Sequence, residues 1–205
     1  MNENSLIIRK ATKDDDLEKI ATLLYYTDEY IYPYWFENLD KCKEELPPLL
    51  VQEKFFFYID NIYVALHKEK QEIIGIICIT DQSVDLDYDY TELKSRNERY
   101  CFTIVNYIEK LIKEVEESSF AYISNVCVDK DYRGMHVGNT LLNAVLKEYR
   151  KRFHQIALDV LSDNPSAIHM YKNLGFEQIS DVFKGFNDPN KEKPDVFSMI
   201  ADIRE

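Results

Sequence analysis

The stretch from Ala121 to Tyr149 constrains the fold more than any other. Ala121 to Val128 is a nearly continuous apolar run, and Asp129 to His136 is polar. Val137, Leu141, Leu142, Val145, Leu146 and Tyr149 then recur at helical spacing. An unbroken apolar strand is expected where a sheet is covered on both faces. A buried strand that turns directly into an amphipathic helix therefore calls for an α/β layer arrangement, with the helix stripe laid back on the sheet. The turn carries Arg133, Gly134 and Gly138. Glycine lets the backbone approach a ligand closely, and a helix N-terminus adds partial positive charge. The turn is therefore suited to phosphate; a plain β–α connection with glycine for geometry is the competing reading. It is neither a Walker A loop nor G-x-G-x-x-G, which lowers the weight of ATP and dinucleotides.

The rest of the chain fits the same class. Leu6 to Lys10 reads as a strand. Thr12 can cap the helix that Leu17, Ile20, Ala21 and Leu24 mark, with Asp14, Asp15 and Asp16 in its first turn. Tyr25 to Phe36 is dense in aromatics, and Pro33 argues against one long helix there. Ile62 to Leu66 and Glu72 to Thr80 read as strands around a polar tip. Cys101, Val105, Ile108, Ile112 and Val115 predict an amphipathic helix. Gln155 to Val160 is a further strand. Asn164-Pro165 opens a helix that ends at Gly175, as the end rules expect. Glu177 to Ile179 and Asp195 to Ile203 close the chain as strands, with a loop at Gly185 to Pro194.

Composition narrows the function. With 45 % hydrophobic and 30 % charged residues, the chain reads as an ordinary globular protein. Its net charge of −12 disfavours nucleic acid and anionic membranes as partners. No apolar run is long enough to span a bilayer. Cys42, Cys78, Cys101 and Cys127 are dispersed and read as reduced thiols, which predicts a cytoplasmic protein. The histidines at 67, 136, 154 and 169 are not near them at ligand spacing, so no metal is expected.

A second segment, Asn164 to Phe176, joins the first. Its bland reading makes Tyr171 a core aromatic, on one face with Ile168 and Leu174. Together the two segments closely resemble the GNAT superfamily of acyl-CoA-dependent N-acetyltransferases. That family's turn reads Q/R-x-x-G-x-G/A after a V-x-V strand; this chain has Val126-Cys127-Val128 and then Arg133-Gly134-Met135-His136-Val137-Gly138. The family's later helix reads N-x-x-A-x-x-x-Y-x-x-x-G-F, matched at Asn164, Ala167, Tyr171, Gly175 and Phe176. The likeness is tightest over about 121–181. His136 departs from it, standing where the first motif glycine usually lies. A long acidic loop plus helix, at about 81–118, is a second departure.

The resemblance implies a single-domain acyl-CoA N-acyltransferase fold over 1–205. The class is α/β: a mixed, mostly antiparallel sheet flanked by helices, splayed between the strand near 121–128 and that near 155–160. It implies an acyltransferase for groups other than aminoacyl groups, with acetyl-CoA as co-substrate and no metal. Val126, Cys127 and Val128 would bind the pantetheine arm through backbone groups. Arg133, Gly134, Met135, His136, Val137, Gly138 and Asn139 would hold the pyrophosphate. Asn164 would hydrogen-bond the pantetheine or fix the strand ends, and Tyr171 would protonate the leaving thiolate. Transfer would be direct, without an acyl-cysteine, since Cys127 has no histidine near it in sequence. The expected acceptor is a primary amine of a small molecule or peptide. A cationic one would suit the twelve aromatics between Tyr25 and Tyr63 and the five acids from Asp81 to Glu92. A homodimer is compatible with this reading. Asp81, Glu29 and Glu37 are the candidate general bases. The alternative is a catalytically weak or inactive module of the same fold that binds CoA as a ligand, a sensor or interaction protein, to which His136 lends weight.

Overall fold

The computed structural model describes residues 5–81, 120–184 and 195–204. The acidic run after Asp81, the helix expected at Cys101 to Val115 and the loop at Gly185 to Pro194 lie outside these residues. Among them the chain runs β1 (Leu6–Lys10), α1 (Leu17–Tyr25), α2 (Ile31–Phe36), α3 (Leu39–Glu45), α4 (Pro47–Leu50), β2 (Ile62–His67), β3 (Glu72–Thr80) and β4 (Phe120–Val128). It continues through α5 (Val137–Tyr149), β5 (Gln155–Leu161), α6 (Pro165–Asn173), β6 (Phe176–Gln178), β7 (Phe183–Lys184) and β8 (Asp195–Asp202).

The strands form one open sheet in the order β1-β2-β3-β4-β5-β8-β6, with β7 also on β8. Among the described residues only the β4–β5 pair is parallel, and the other pairings are antiparallel. β3 is buried from Ile73 to Thr80 because it is central and covered on both faces. One face carries α1 to α4 and the core of Leu24, Tyr32, Trp35, Phe36, Phe55 and Phe56. The other carries α5 and α6, over Leu141, Leu142, Val145, Leu158, Tyr171 and Met199.

One local expectation shifts. The cap of α1 is Asp16, whose carboxylate accepts from the Lys19 amide at 2.9 Å, rather than Thr12. Thr12 is tied instead to Asp15, which also takes both ends of the Arg9 guanidinium, at 2.6 and 2.8 Å. Pro33 breaks the aromatic stretch as expected: it sits in the first turn of the short α2, where a missing N–H leaves no helix bond unmade. The aromatics there are mostly core. Tyr32, Trp35, Phe36, Phe55, Phe56 and Phe57 are all buried, and Tyr26 is exposed.

Candidate active site

β4 and β5 are paired only over their first residues. The parallel register runs from Phe120↔Gln155 to Ile123↔Leu158 and stops, although β4 continues to Val128 and β5 to Leu161. On its other edge β4 stays on β3 as far as Val128. That pairing slips by one residue, since Cys78 faces Asn125 while Ile79 faces Ile123, which leaves Ser124 as a bulge. A bulge bends its strand, and here the bend and the loss of pairing begin at the same residue. The expected splay is therefore present. Along 124–128, the β4 edge that faces the gap has no strand partner among the described residues, so an extended chain can add to it.

Side chains divide across this open arm. Val126 and Val128 pack into the core under α5 and α6, and Cys127 points into the opposite core. Burial pushes the Cys127 thiol up to about 11, with Arg133 opposing the shift. It is thus a neutral thiol near pH 7 and a poor nucleophile.

Beyond Val128 the chain makes one 3-10 turn at Lys130–Tyr132 and then four turn residues, Arg133 to His136, before α5. Arg133 is exposed, and its Nε donates to the Val128 carbonyl at 3.1 Å, folding the side chain over the strand end. Gly134 and His136 both have left-handed backbone, at φ 74° and 62°. Met135 is 40 % exposed. The Thr140 amide and hydroxyl both reach the His136 carbonyl, at 3.0 Å each. The amides of Val137, Gly138 and Asn139 have no acceptor among the described residues, and α5 has no side-chain cap. They point out of the positive end of a 13-residue helix. Gly138 lies close against α6: a Cβ there would lie 3.1 Å from Met170 Sδ and 3.5 Å from Val128 Cγ2, so any larger residue requires the Met170 side chain to give way. α6 is thus packed directly on the first turn of α5.

A polar network fixes the start of this turn. Lys19 Nζ lies 2.5 Å from Asp129 and 3.6 Å from Glu72. The Tyr132 hydroxyl donates to Glu72 at 3.2 Å and accepts from Lys70 Nζ at 2.8 Å. Four parts of the fold, α1, the β2–β3 turn, the start of β3 and the loop after β4, are joined this way. Sequence reading missed it, because its members are spread from residue 19 to 132.

Tyr171 is the buried residue of α6, its ring centroid 5.7 Å from that of Phe176. Burial raises its phenol well above 10, so the hydroxyl stays protonated. Its oxygen has no hydrogen-bond partner among the described residues. Asn164 caps α6, its Oδ1 accepting from the Ala167 amide at 3.1 Å. That role follows from its place before Pro165.

On the sheet face away from α5 and α6, Asn125 donates to Thr27 Oγ1 at 2.8 Å and to the Tyr32 hydroxyl at 3.1 Å. This seats the α1–α2 connection beside the gap. Asp28 in that connection accepts from the Tyr30 and Ile31 amides at 2.7 and 2.9 Å, and burial outweighs these bonds to raise its pKa. Asp81 does not reach the gap. It pairs with Arg152 at 3.2 Å, just past Thr80, which faces Tyr122 in the part of β4 still paired with β5. Glu37 pairs with Lys41 on the surface, and Glu29 is exposed.

The model of the acetyltransferase (GNAT) family matches residues 24–176, well over half of the chain. The chain belongs to the GNAT acetyltransferase family. An uncharacterized N-acetyltransferase of Methanocaldococcus jannaschii is 38 % identical over 76 residues, which are 37 % of this chain and 33 % of that protein. N-alpha-acetyltransferase 30 of Dictyostelium discoideum is 33 % identical over 64 residues, 31 % of this chain and 35 % of its own length. The matches thus span about a third of each relative. A chain in the structure of the NatC complex bound to Gag peptide and CoA superposes with a TM-score of 0.59 at 16 % identity, over 97 % of this chain and 98 % of its own. At that identity the likeness is one of fold. The mixed, mostly antiparallel GNAT sheet with flanking helices is the architecture found here.

Proposed function

We propose that the protein is an acetyl-CoA-dependent N-acetyltransferase that moves the acetyl group directly to a primary amine of a small molecule or peptide. The observation that carries this reading is the gap after Ile123↔Leu158, with the uncapped α5 N-terminus at its outer end and Tyr171 in the core under its inner face. These residues fit CoA. The amides of 137–139 and the helix dipole suit a pyrophosphate. The unpaired edge of Ser124 to Val128 suits the amide groups of a pantetheine arm. Bound there, acetyl-CoA would supply an activated thioester.

This chain's residues do the rest. The β4 edge orients the arm and aims a backbone amide at the thioester oxygen, an oxyanion-type role. Holding donor and acceptor together supplies much of the acceleration. Tyr171, kept neutral by burial, gives its proton to the departing sulfur. Arg133 and the turn hold the phosphates. Asn164, as the cap of α6, sets the height at which Tyr171 stands. The N-alpha-acetyltransferase relative and the peptide-bound NatC complex favour an α-amine on a peptide as one acceptor class. The strong burial of the aromatics weakens the case for an aromatic cage around a cation. A CoA-binding module without turnover is the second reading, favoured by His136 in the turn.

The test is a thiol-release assay with acetyl-CoA and a panel of amines and peptides, run beside melting curves with CoA. Turnover with at least one amine, and a rise in Tm with CoA, support the enzyme. Tyr171→Phe should fold, bind CoA and lose roughly 10²–10⁴-fold in rate. A Tm shift without turnover for any acceptor would support the module.

A further inference from the structure

Resting on the reading above, we infer that the side-chain carbonyl of Asn125 on β4 accepts a hydrogen bond from the attacking amine and holds its nitrogen for transfer. Asn125 is the second residue of β4 past Ile123, the last position paired with β5. Val126 and Val128 pack under α5 and α6, and Cys127 into the opposite core. Strand alternation therefore puts Asn125 on the side of Cys127, away from Tyr171. On that side the α1–α2 connection passes beside it, with Tyr26 exposed.

The orientation of the Asn125 amide is fixed by its neighbours. Its Nδ2 donates to Thr27 Oγ1 at 2.8 Å and to the Tyr32 hydroxyl at 3.1 Å. The Thr27 hydroxyl gives its own proton to the Leu24 carbonyl at 2.6 Å. Toward Asn125 it can therefore only accept. Turning the amide over would set Oδ1 against that oxygen, acceptor against acceptor. The NH2 group is thus pinned, with both protons in use, and the buried Tyr32 ring makes the seat a firm one. Oδ1 is turned away from these two partners. It has no hydrogen-bond partner among the described residues, and Asn125 is half-buried. An oriented carbonyl oxygen beside the gap is an acceptor for an N–H group.

A neutral acceptor suits this step. A free amine is a weak N–H donor. As its lone pair forms the N–C bond to the thioester carbonyl carbon, the nitrogen becomes cationic and its N–H groups become strong, charge-assisted donors. The bond to Oδ1 therefore tightens in the transition state, where an interaction raises kcat. A primary amine keeps one N–H in the product amide, and that is the one Asn125 holds. The other proton leaves to water. The C–S bond breaks, sulfur takes the Tyr171 proton, and water returns one proton to the Tyr171 oxygen. A secondary amine has no second N–H to hold, so this contact favours primary amines.

The experiment measures kcat and KM by thiol release, with the amine that the wild type acetylates best, for the wild type, Asn125→Ala, Asn125→Asp and Thr27→Val. Tm is read with and without CoA alongside. Asn125→Ala removes both the acceptor and the anchor. Asn125→Asp keeps an acceptor oxygen but loses both donors to Thr27 and Tyr32. Thr27→Val loses an anchor and keeps the carbonyl. Asn125→Ala should lose about 10–100-fold, in kcat more than in KM, with a wild-type rise in Tm on adding CoA. Asn125→Asp should lose less than Asn125→Ala although its own Tm is at least as low, and Thr27→Val should also lose less. If Asn125 serves only to seat the connection, activity follows the anchor: Asn125→Asp falls to or below Asn125→Ala, and Thr27→Val falls level with it. Either of those results, or a wild-type rate for Asn125→Ala, would overturn the assignment and leave the acetyltransferase reading standing. Should Asn125→Asp not fold, Thr27→Val against Asn125→Ala decides by the same criterion. If the wild type acetylates no amine while CoA raises its Tm, both readings fall.

Discussion

His136 offers a direct way to separate backbone from side chain in the phosphate turn. Its φ of 62° is left-handed, a conformation that costs a non-glycine residue roughly 1–2 kcal/mol. Glycine would remove that strain, but its freer unfolded chain takes back about 0.5–1 kcal/mol. His136→Gly should therefore stabilise the protein by about 0.5–1 kcal/mol. For a chain of this size that is a rise in Tm of roughly 1–4 °C. His136→Ala keeps the strained backbone and removes the exposed ring, so its stability should stay within about 0.5 kcal/mol of wild type. His136→Val adds β-branching at positive φ and should lower the Tm. The turn is already in its working shape with histidine, so CoA affinity in the glycine and alanine variants should stay within about threefold, or about 0.7 kcal/mol. Scanning calorimetry over a CoA titration reads both quantities. A lower Tm for His136→Gly would refute the strain argument. A loss of affinity above tenfold in both variants would mean that the imidazole itself holds the cofactor.

Gly138→Val should be damaging for the opposite reason. With Met170 Sδ 3.1 Å from any Cβ, overpacking should cost about 1–3 kcal/mol and abolish the CoA-induced Tm shift. Cys127→Ala should keep full turnover, since the thiol is buried and un-ionised, with a stability loss of about 1 kcal/mol seen in urea melts. Asp15→Asn should destabilise by about 1–2 kcal/mol at pH 7, because Asp15 holds Arg9 and the Thr12 amide. The bidentate bond from Arg9 holds the Asp15 pKa below its usual value. Its contribution is therefore full above about pH 4 and is lost as the pH falls further through the folded-state pKa, so wild type and variant should converge in acid.

Much of the site could be read from residue order because its causes are local. The turn at 133–138 follows from glycines between an apolar strand and a periodic helix, and Asn164 caps its own helix three residues on. The gap between β4 and β5 is different in kind. It depends on the register of three strands and on the bulge at Ser124, and nothing in Ile123-Ser124-Asn125 announces a slipped pairing. The aromatics of 25–58 were ambiguous for a similar reason. Burial of Tyr32 or Phe55 is decided by α1 to α4 folding over the sheet, not by local spacing. Asp81 misled because it ends a strand. The antiparallel β3 brings that end to the start of β4, away from the gap.

The central claim is direct transfer from acetyl-CoA to an amine in that gap. The most direct measurement uses isotopically labelled acetyl-CoA with a mixture of amines and short peptides, following both the small molecules and the intact protein by mass spectrometry. The account predicts label on the nitrogen of an acceptor, one for each CoA thiol released, with none left on the protein in wild type or Cys127→Ala. Label accumulating on the wild-type protein and absent from Cys127→Ala, or thiol released without any labelled acceptor, would contradict it.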